Sequence, residues 1–249
     1  MEPKDAIYTR RSVRSYVMEP LDEATLSKID GWIKDAKRLT DDPFEYDYLG
    51  PEQIKTQMNW RAPHYIAIYS NDDNMSAVNV GFVFQQIDLR MQAEGIGSCW
   101  LGMAKPAKKA EHAGMDWGVS ISFGKPTDYP EVDKGANRKP LKDICDTGDQ
   151  RLEPARLAPS AVNSQTWYFK SNGDAYDLFY KPGLKKLPFP GITYWNHNDL
   201  GICLAHLYMS YPDTFSFVRN ESKEKKYIGT VRFRLQRKKG EGSPLPRPR

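Results

Sequence analysis

The sequence predicts an α+β protein made of two similar halves, and three observations carry that prediction. Each half runs in the same order through helix or loop, short strand, long apolar helix and strand. The segments VGFVFQQIDLRMQ and LGICLAHLYMSYP occupy the same place in that order. The 249 residues are 39% hydrophobic and 27% charged, enough to bury a core as one large domain or two small ones. That composition excludes disordered and fibrous proteins. Halves that pack about a pseudo-twofold axis would place the site between them.

In residues 21–39 of the first half, Leu21, Leu26, Ile29, Ile33 and Ala36 fall at helical spacing after Pro20, which predicts an amphipathic helix from about Asp22. A polar, aromatic-rich connection leads to HYIAIYS at 64–70, a strand ending in the Asn/Asp cluster SNDDN. Val80, Phe84, Ile87 and Met91 then recur every three or four residues. They mark a mostly buried helix that stops at Gly95 or Gly97. WGVSISFGKP at 117–126 is a second short strand.

In the second half, residues 150–167 read as helical until Pro159, although Pro154 weakens the start. TWYFKSNGDAYDLFY predicts a hairpin around Asn172 and Gly173. DLGICLAHLYMSYP at 199–212 predicts a helix capped by Asp199. YIGTVRFRL at 227–235 sets Arg232 and Arg234 against Val231, Phe233 and Leu235, the pattern of a strand with one wet face.

The net charge of +4 is carried entirely by the last thirteen residues, RKKGEGSPLPRPR. The neutral remainder argues against a nucleic-acid binder, which would be expected to carry a basic face on its folded body. Cys99, Cys145 and Cys203 are odd in number and form no CxxC pair, so reduced, buried thiols are expected. No stretch approaches the roughly 18 apolar residues of a membrane span, and the opening residues lack a signal-like apolar run, so a cytoplasmic location is expected. His64, His112, His197 and His206 show no metal-binding spacing, and His64 and His206 read as packed imidazoles. P-loop and GxSxG motifs are absent.

Three segments carry candidate chemistry. TRRSVRS at 9–15 offers Arg10, Arg11 and Arg14 with Ser12 and Ser15, guanidinium forks and hydroxyls suited to a phosphate monoester. The competing reading is a solvated basic arm. LAPSAVNSQTW at 157–167 gathers Pro159, Ser160, Asn163, Ser164 and Gln165, whose amides suit a ring with alternating C=O and N–H groups. An ordinary Asn/Ser turn after a helix would look the same. EGIGSCWLGMAKP at 94–106 surrounds Cys99 and Trp100 with Gly95, Gly97 and Gly102, a turn where backbone can approach a flat group. Cys99 itself reads as a small buried filler.

These segments resemble the FMN-dependent nitroreductase family. AIYTRRSVRSY is similar to its phosphate-binding start, and APSAVNSQTW to its Pro-Ser-x-x-Asn-x-Gln segment. VGFVFQQIDLRMQAEGIGSCWLGM resembles its central helix and flavin loop, and VSISFGKP the next strand. The order differs from ordinary members, where the Pro-Ser-x-x-Asn segment follows the first helix. That place here holds RLTDDPFEYDYLG. The layout resembles a subfamily in which one chain mimics the usual dimer, with one FMN per chain.

The resemblance implies a nitroreductase-like fold. Its expected parts are a first half at 1–148 with the arginine cluster and flavin loop, a shorter second half at 149–236, and a disordered basic tail at 237–249. It implies that Arg10, Ser12 and Arg14, with Arg11, hold the phosphate and ribityl end, joined by Arg138 or Lys139. Pro159, Ser160, Asn163 and Gln165 would face the flavin from the other half, while Leu101 and Gly102 would approach N5. The aromatic run Phe44, Tyr46 and Tyr48, with Trp100 and Leu101, would line the acceptor channel. No catalytic side chain and no metal are implied. The implied function is hydride transfer from NAD(P)H to a nitroaromatic, quinone or similar small acceptor, by a monomer or homodimer. A flavin-binding or storage protein with little reductase activity is the alternative.

Overall fold

The computed structural model describes residues 1–110, 112, 114–128, 135, 137–182 and 192–234. The tail expected at 237–249 and the last residue of the strand expected at 227–235 lie outside them.

A short helix α1 (Ala6–Thr9) precedes α2 (Glu23–Asp35), which starts where Asp22 accepts a 2.7 Å bond from the Thr25 amide. Strands β1 (Phe44–Leu49), β2 (Ile54–Thr56) and β3 (His64–Ser70) lead to α3 (Asn74–Ala93). Asp73 caps α3 by accepting from the Met75 and Ser76 amides, and Gly95 turns the chain out of it at φ +80°. Next come β4 (Gly97–Leu101), β5 (Ala104–Pro106) and β6 (Asp116–Gly124). The second half contains α4 (Leu141–Ile144), α5 (Glu153–Arg156), β7 (Trp167–Asn172), β8 (Ala175–Tyr180), α6 (Ile192–Ser210), β9 (Phe215–Val218) and β10 (Tyr227–Phe233).

The repeat expected from sequence is present in the topology. One sheet has the order β1-β3-β6-β4 and the other β7-β8-β10-β9, with every neighbour pair antiparallel. The long helix enters each at the same point, α3 between β3 and β4 and α6 between β8 and β9. A helix buried on one side would show an apolar stripe, whereas α3 is buried nearly all round because it serves two cores. Val78 and Phe82 pack with Trp167, Phe169 and Leu178 of the second sheet. Val80, Phe84 and Ile87 pack with Ile66, Ile68 and Phe123 of the first.

The two helices meet at glycine. A Cβ on Gly81 would lie 2.0 Å from the Asn198 carbonyl oxygen, and one on Gly201 would lie 1.9 Å from that of Val78. Because Gly81 meets Asn198 while Gly201 meets Val78, the contact is reciprocal, as around a twofold axis.

Four sequence expectations are corrected here. Asp199 does not cap α6, which begins seven residues earlier at Ile192. The polar run before Asp199 looks like a loop, yet it is helical and buried, and its side chains find partners such as the Tyr180 hydroxyl on Asn196. The 150–167 stretch is α-helical only over Glu153–Arg156, with single 3-10 turns at Gln150–Leu152 and Ala161–Asn163. The glycine turn at 94–106 is largely strand, because Gly97–Leu101 pairs with β6. The connection before β3 contains strand β1, whose Phe44, Tyr46 and Tyr48 contact Phe84 and Phe123 in the core rather than lining a channel. The hairpin matches its expectation apart from a one-residue shift, since Asn172 pairs with Ala175 and the turn is Gly173-Asp174. All three cysteines are buried and unpaired.

Gly201→Ala should gain about 1 kcal/mol of helix propensity yet lose more by overpacking against backbone that has no rotamer to change, about 1–3 kcal/mol net. Gly81→Ala should behave alike, and Gly31→Ala, which meets nothing within 4 Å, should not be destabilising. Urea denaturation of the three variants checks this.

Candidate functional site

The arginine arm runs along the β4 edge of the first sheet and covers it. Ser12 bridges Ser98 of β4 in parallel, and the Val13 amide donates to the Ser98 carbonyl at 2.9 Å. This direction turns Arg10 inward. Its Nε lies 2.8 Å from Asp88 Oδ2 with both side chains at most 2% exposed, while its Nη2 is buried without a hydrogen-bond partner. Arg14 is exposed and Ser12 half-buried.

Asp88 anchors a buried polar network. Its Oδ1 accepts from Ser98 Oγ at 2.6 Å and its Oδ2 from Gln85 Nε2 at 2.8 Å. Gln85 Oε1 accepts from the Trp100 indole at 2.9 Å, and Gln85 Nε2 lies 3.2 Å from His206 Nε2. His206 Nδ1 is 2.9 Å from the Pro154 carbonyl, which can only accept, so the proton sits on Nδ1 and Nε2 receives the Gln85 bond. Gln92 completes the arm's attachment by donating to the Arg11 carbonyl and to Ser98 Oγ, both at 2.9 Å. The network joins the arm, α3, β4, α6 and the start of α5.

The Pro159–Gln165 segment is held in an unusual backbone. Val162, Asn163 and Gln165 have φ of 49°, 55° and 48°, and Val162 is 60% exposed. A β-branched residue in the left-handed region is strained, at a cost of order 1–3 kcal/mol. Neighbours hold the segment there. Arg138 Nη1 donates to Asn163 Oδ1 at 2.7 Å, the Lys139 amide to Gln165 Oε1 at 2.7 Å, and Asn163 Nδ2 to the Asn137 carbonyl at 2.8 Å. The Lys139 ammonium donates to the Ser164 and Gln165 carbonyls, so it acts as a clasp. Ser160 Oγ accepts from the Gln165 amide, and Asp199 accepts from the Ala161 amide with both oxygens at 3.0 Å.

The residues flanking the arm and this segment pack together. Ile7 packs with Leu157, and burial, followed by the positive charges of Arg10 and Arg156, pulls the Arg138 guanidinium below its ordinary value. Arg156 is itself paired with Glu153 at 2.6 Å. The Arg10 charge therefore reaches Arg138, which bonds Asn163, and a cation so placed suits an anion. Pro159 and Ser160 are half-buried beside these groups, and Arg11 lies half-buried on the arm.

Leu101 and Gly102 are placed differently. Leu101 is buried against Val13, Tyr16 and Cys99. Gly102 faces the Trp195 indole, which a Cβ there would meet at 2.4 Å, and Trp195 donates to the Gly118 carbonyl at 3.1 Å. The flat group against this glycine is thus the chain's own Trp195. Gly102 and Trp195 line a cavity of about 780 Å³ together with Met103, Trp117, Tyr194 and Lys105. His64 accepts from the Leu21 amide and stacks on Phe123, a packed imidazole as expected. Among the described residues no group of side chains could hold a metal ion, and no helix is long and apolar enough to cross a membrane.

Sequence reading missed Asp88 and Gln85, and took Asp199 for a helix cap. The one available signal is the run QQID, polar side chains within an otherwise apolar helix. Its partner Arg10 is 78 residues away, and pattern within a window cannot connect the two.

Residues 2–211 match the protein-family model described as "Putative TM nitroreductase". A putative nitroreductase from Thermotoga maritima MSB8 has a similar structure, with TM-score 0.63 and 23% identity over 93% of this chain and 92% of that one. An FMN-dependent nitroreductase from Clostridium difficile R20291 aligns over 53% of this chain and 94% of its own, at TM-score 0.45 and 14% identity. A putative nitroreductase in complex with FMN from Desulfovibrio desulfuricans aligns over 58% and 95%, at TM-score 0.46 and 17% identity. No curated protein matches in sequence.

Asp88→Ala should cost about 3–5 kcal/mol, because it leaves the Arg10 guanidinium buried and uncompensated. Exposed Lys28→Ala, which breaks a surface pair with Glu94, should cost under about 1 kcal/mol. Chemical denaturation of both variants checks the contrast.

Proposed function

Since the chain belongs to the putative TM nitroreductase family, we propose that it is an FMN-dependent oxidoreductase passing hydride from NAD(P)H to a nitroaromatic, quinone or similar small acceptor. What supports this reading is the unpartnered buried Arg10 Nη2, whose charge is felt at Arg138, together with the bond from Arg138 to Asn163 in the left-handed Val162, Asn163 and Gln165 backbone. An orphaned buried donor and two repelling guanidinium groups fit a phosphate, and strain persists where a ligand-facing surface needs it. FMN would supply the hydride chemistry.

The chain's own residues bind and orient. Arg14, Ser12 and Arg138 would hold the phosphate, with Arg10 adding its free Nη2 while its Nε stays with Asp88. Asn163 would present its amide and Val162 its apolar face to the ring, with Ser160 and Pro159 completing that side. Gln165 Oε1 is taken by the Lys139 amide, so Gln165 shapes the segment rather than contacting the ligand. In this reading residues 1–148 and 149–236 each contribute one wall. The exclusion of water and the placement of the acceptor would fall to the Trp117, Tyr194 and Trp195 cavity. One observation favours the storage alternative. Trp195 covers Gly102, so a flat ligand reaches that backbone only if the indole moves.

Purified protein should be yellow and bleach anaerobically with NADH or NADPH. Stopped-flow reduction at roughly 1 s⁻¹ or faster separates the enzyme from a storage protein. Protein that neither carries nor takes up FMN would overturn both readings. Arg14→Ala should weaken FMN binding about tenfold or more, the worth of a charge-assisted hydrogen bond, while riboflavin, which lacks the phosphate, should bind nearly unchanged; Arg138→Ala, which also releases Asn163 Oδ1, should weaken both flavins, FMN the more. Competition titrations with the two flavins check this.

A further inference from the structure

The twofold relation between α3 and α6 equates Gly81 with Gly201, and therefore Asn79 with Asp199. The two side chains do the same job. Asn79 Oδ1 accepts from the Leu39 amide at 2.9 Å and the Thr40 amide at 3.4 Å, holding the segment between α2 and β1. Asp199 accepts from the Ala161 amide with both oxygens and from Ser164 Oγ at 3.4 Å, holding the segment between α5 and β7. A neutral amide oxygen is thus enough to pin such a segment. At the site half of the molecule the position carries an ionisable group instead.

We propose that Asp199 is a positioning residue for the ligand-facing segment 160–165, and that the uptake or loss of its proton tunes how tightly that segment holds its anionic ligand. The proposal rests on the FMN reading given above. Asp199 is 2% exposed, and among the described residues no cation forms an ion pair with it. The segment it holds offers only the Ala161 amide and the Ser164 hydroxyl. On α6 the nearby titratable groups are the His197 imidazole, held below its ordinary value by burial, and the Cys203 thiol, itself pushed up by burial and by Asp199. The charged groups around it are occupied or exposed: Arg138 bonds Asn163 and the Lys139 ammonium the Ser164 and Gln165 carbonyls, Glu153 pairs with Arg156 on α5, Arg10 with Asp88 on α3, and Lys170 of β7 with Glu224, while Asp116 of β6 faces solvent.

Burial therefore dominates. It pushes the Asp199 carboxyl up to about 8 against the pull of its two hydrogen-bond donors. At neutral pH the group is mostly a neutral acid: its carbonyl oxygen holds Ala161 as Asn79 holds Leu39, and its O–H can donate to Ser164 Oγ, whose own proton then turns to Asn196 Oδ1. Above that point a buried carboxylate stands one residue from the strained turn, and its charge opposes a bound phosphate monoester. Reciprocal linkage requires that a ligand favouring the neutral form bind more weakly as the proton leaves.

The test is FMN titration by fluorescence quenching between pH 6.5 and 9.5, with hydrogen exchange of the Ala161 amide, for wild type, Asp199→Asn and Asp199→Leu. Wild-type affinity should fall by about fivefold or more across pH 8, the direction set by reciprocal linkage. Asp199→Asn, which keeps an acceptor but cannot ionise, should match wild type within about threefold at pH 6.5 and lack that step. Asp199→Leu should bind about tenfold or more weakly, as expected for loss of a buried hydrogen bond, and should exchange Ala161 faster. An Asp199→Asn variant that reproduces the wild-type step, or an Asp199→Leu variant with wild-type affinity, would overturn the proposal; if Asp199→Leu does not fold, the Asp199→Asn profile decides alone. Should wild type bind no FMN at any pH, the flavin reading fails and the proton-linked part falls with it. The positioning part is then decided by Ala161 exchange, which must stay protected in Asp199→Asn.

Discussion

Backbone meets backbone where α3 crosses α6, and the rest of the molecule is arranged around that contact. Any side chain at Gly81 or Gly201 would enter a carbonyl of the opposite helix. With the helices that close, both are buried almost all round and each must be apolar on the face it turns to the other half's sheet. That explains why α3 feeds two hydrophobic clusters. It also explains why the polar groups that remain on these helices are committed to specific partners, since a buried polar group without one is costly. The two such groups that matter most are Asp88 on α3 and Asp199 on α6. One fixes the arginine arm, and the other fixes the Ala161–Gln165 turn.

These two carboxyls are buried by the same packing but differ in charge environment. Asp88 has Arg10 at 2.8 Å together with two neutral donors, so its charge is met inside the protein. Asp199 has only an amide and a hydroxyl. The contrast follows from the arm: the N-terminal segment lies along the first sheet and delivers a cation to α3, and the described second half has no such arm beside β9. The pseudo-symmetry is broken in the other segment as well. The loop on Asn79 leads into an aromatic strand packed in the core, whereas the loop on Asp199 carries left-handed Val162 and Asn163 to the surface. One half thus supplies cations and the other a strained turn, the two walls that the proposed site draws on.

Elements with strong local patterns were legible in the sequence. The Asp22 start, the α3 period and the Asn-Gly hairpin are written within windows of a few residues. So was the alignment of VGFVFQQ with LGICLAH, which places Gly81 on Gly201. Other features resisted because tertiary context set them. The polar run before Asp199 reads as a loop until its buried partners are known. FEYDYL alternates aromatic and acidic residues as an edge strand does, but its aromatic content suggested a channel. GIGSCWL reads as a turn because of its glycines, though Gly97 is there to admit Val13 and Gly102 to admit Trp195. The gathering of arginines at 10–14 was visible. That Arg10 would turn inward to Asp88 was not, since the pairing is fixed by where the arm docks.

The central claim is that the arm and the Pro159–Gln165 segment of one chain build one site. Subunit mixing tests it directly. Arg14→Ala damages only the arm and Asn163→Ala only the segment, and each should bind FMN weakly alone. Equimolar mixing after partial unfolding and refolding together should restore no tight sites, because every chain still lacks one wall of its own pocket. Recovery of wild-type affinity in up to a quarter of the sites, the share expected when walls are drawn at random from two chains, would show a pocket shared between subunits and contradict the account.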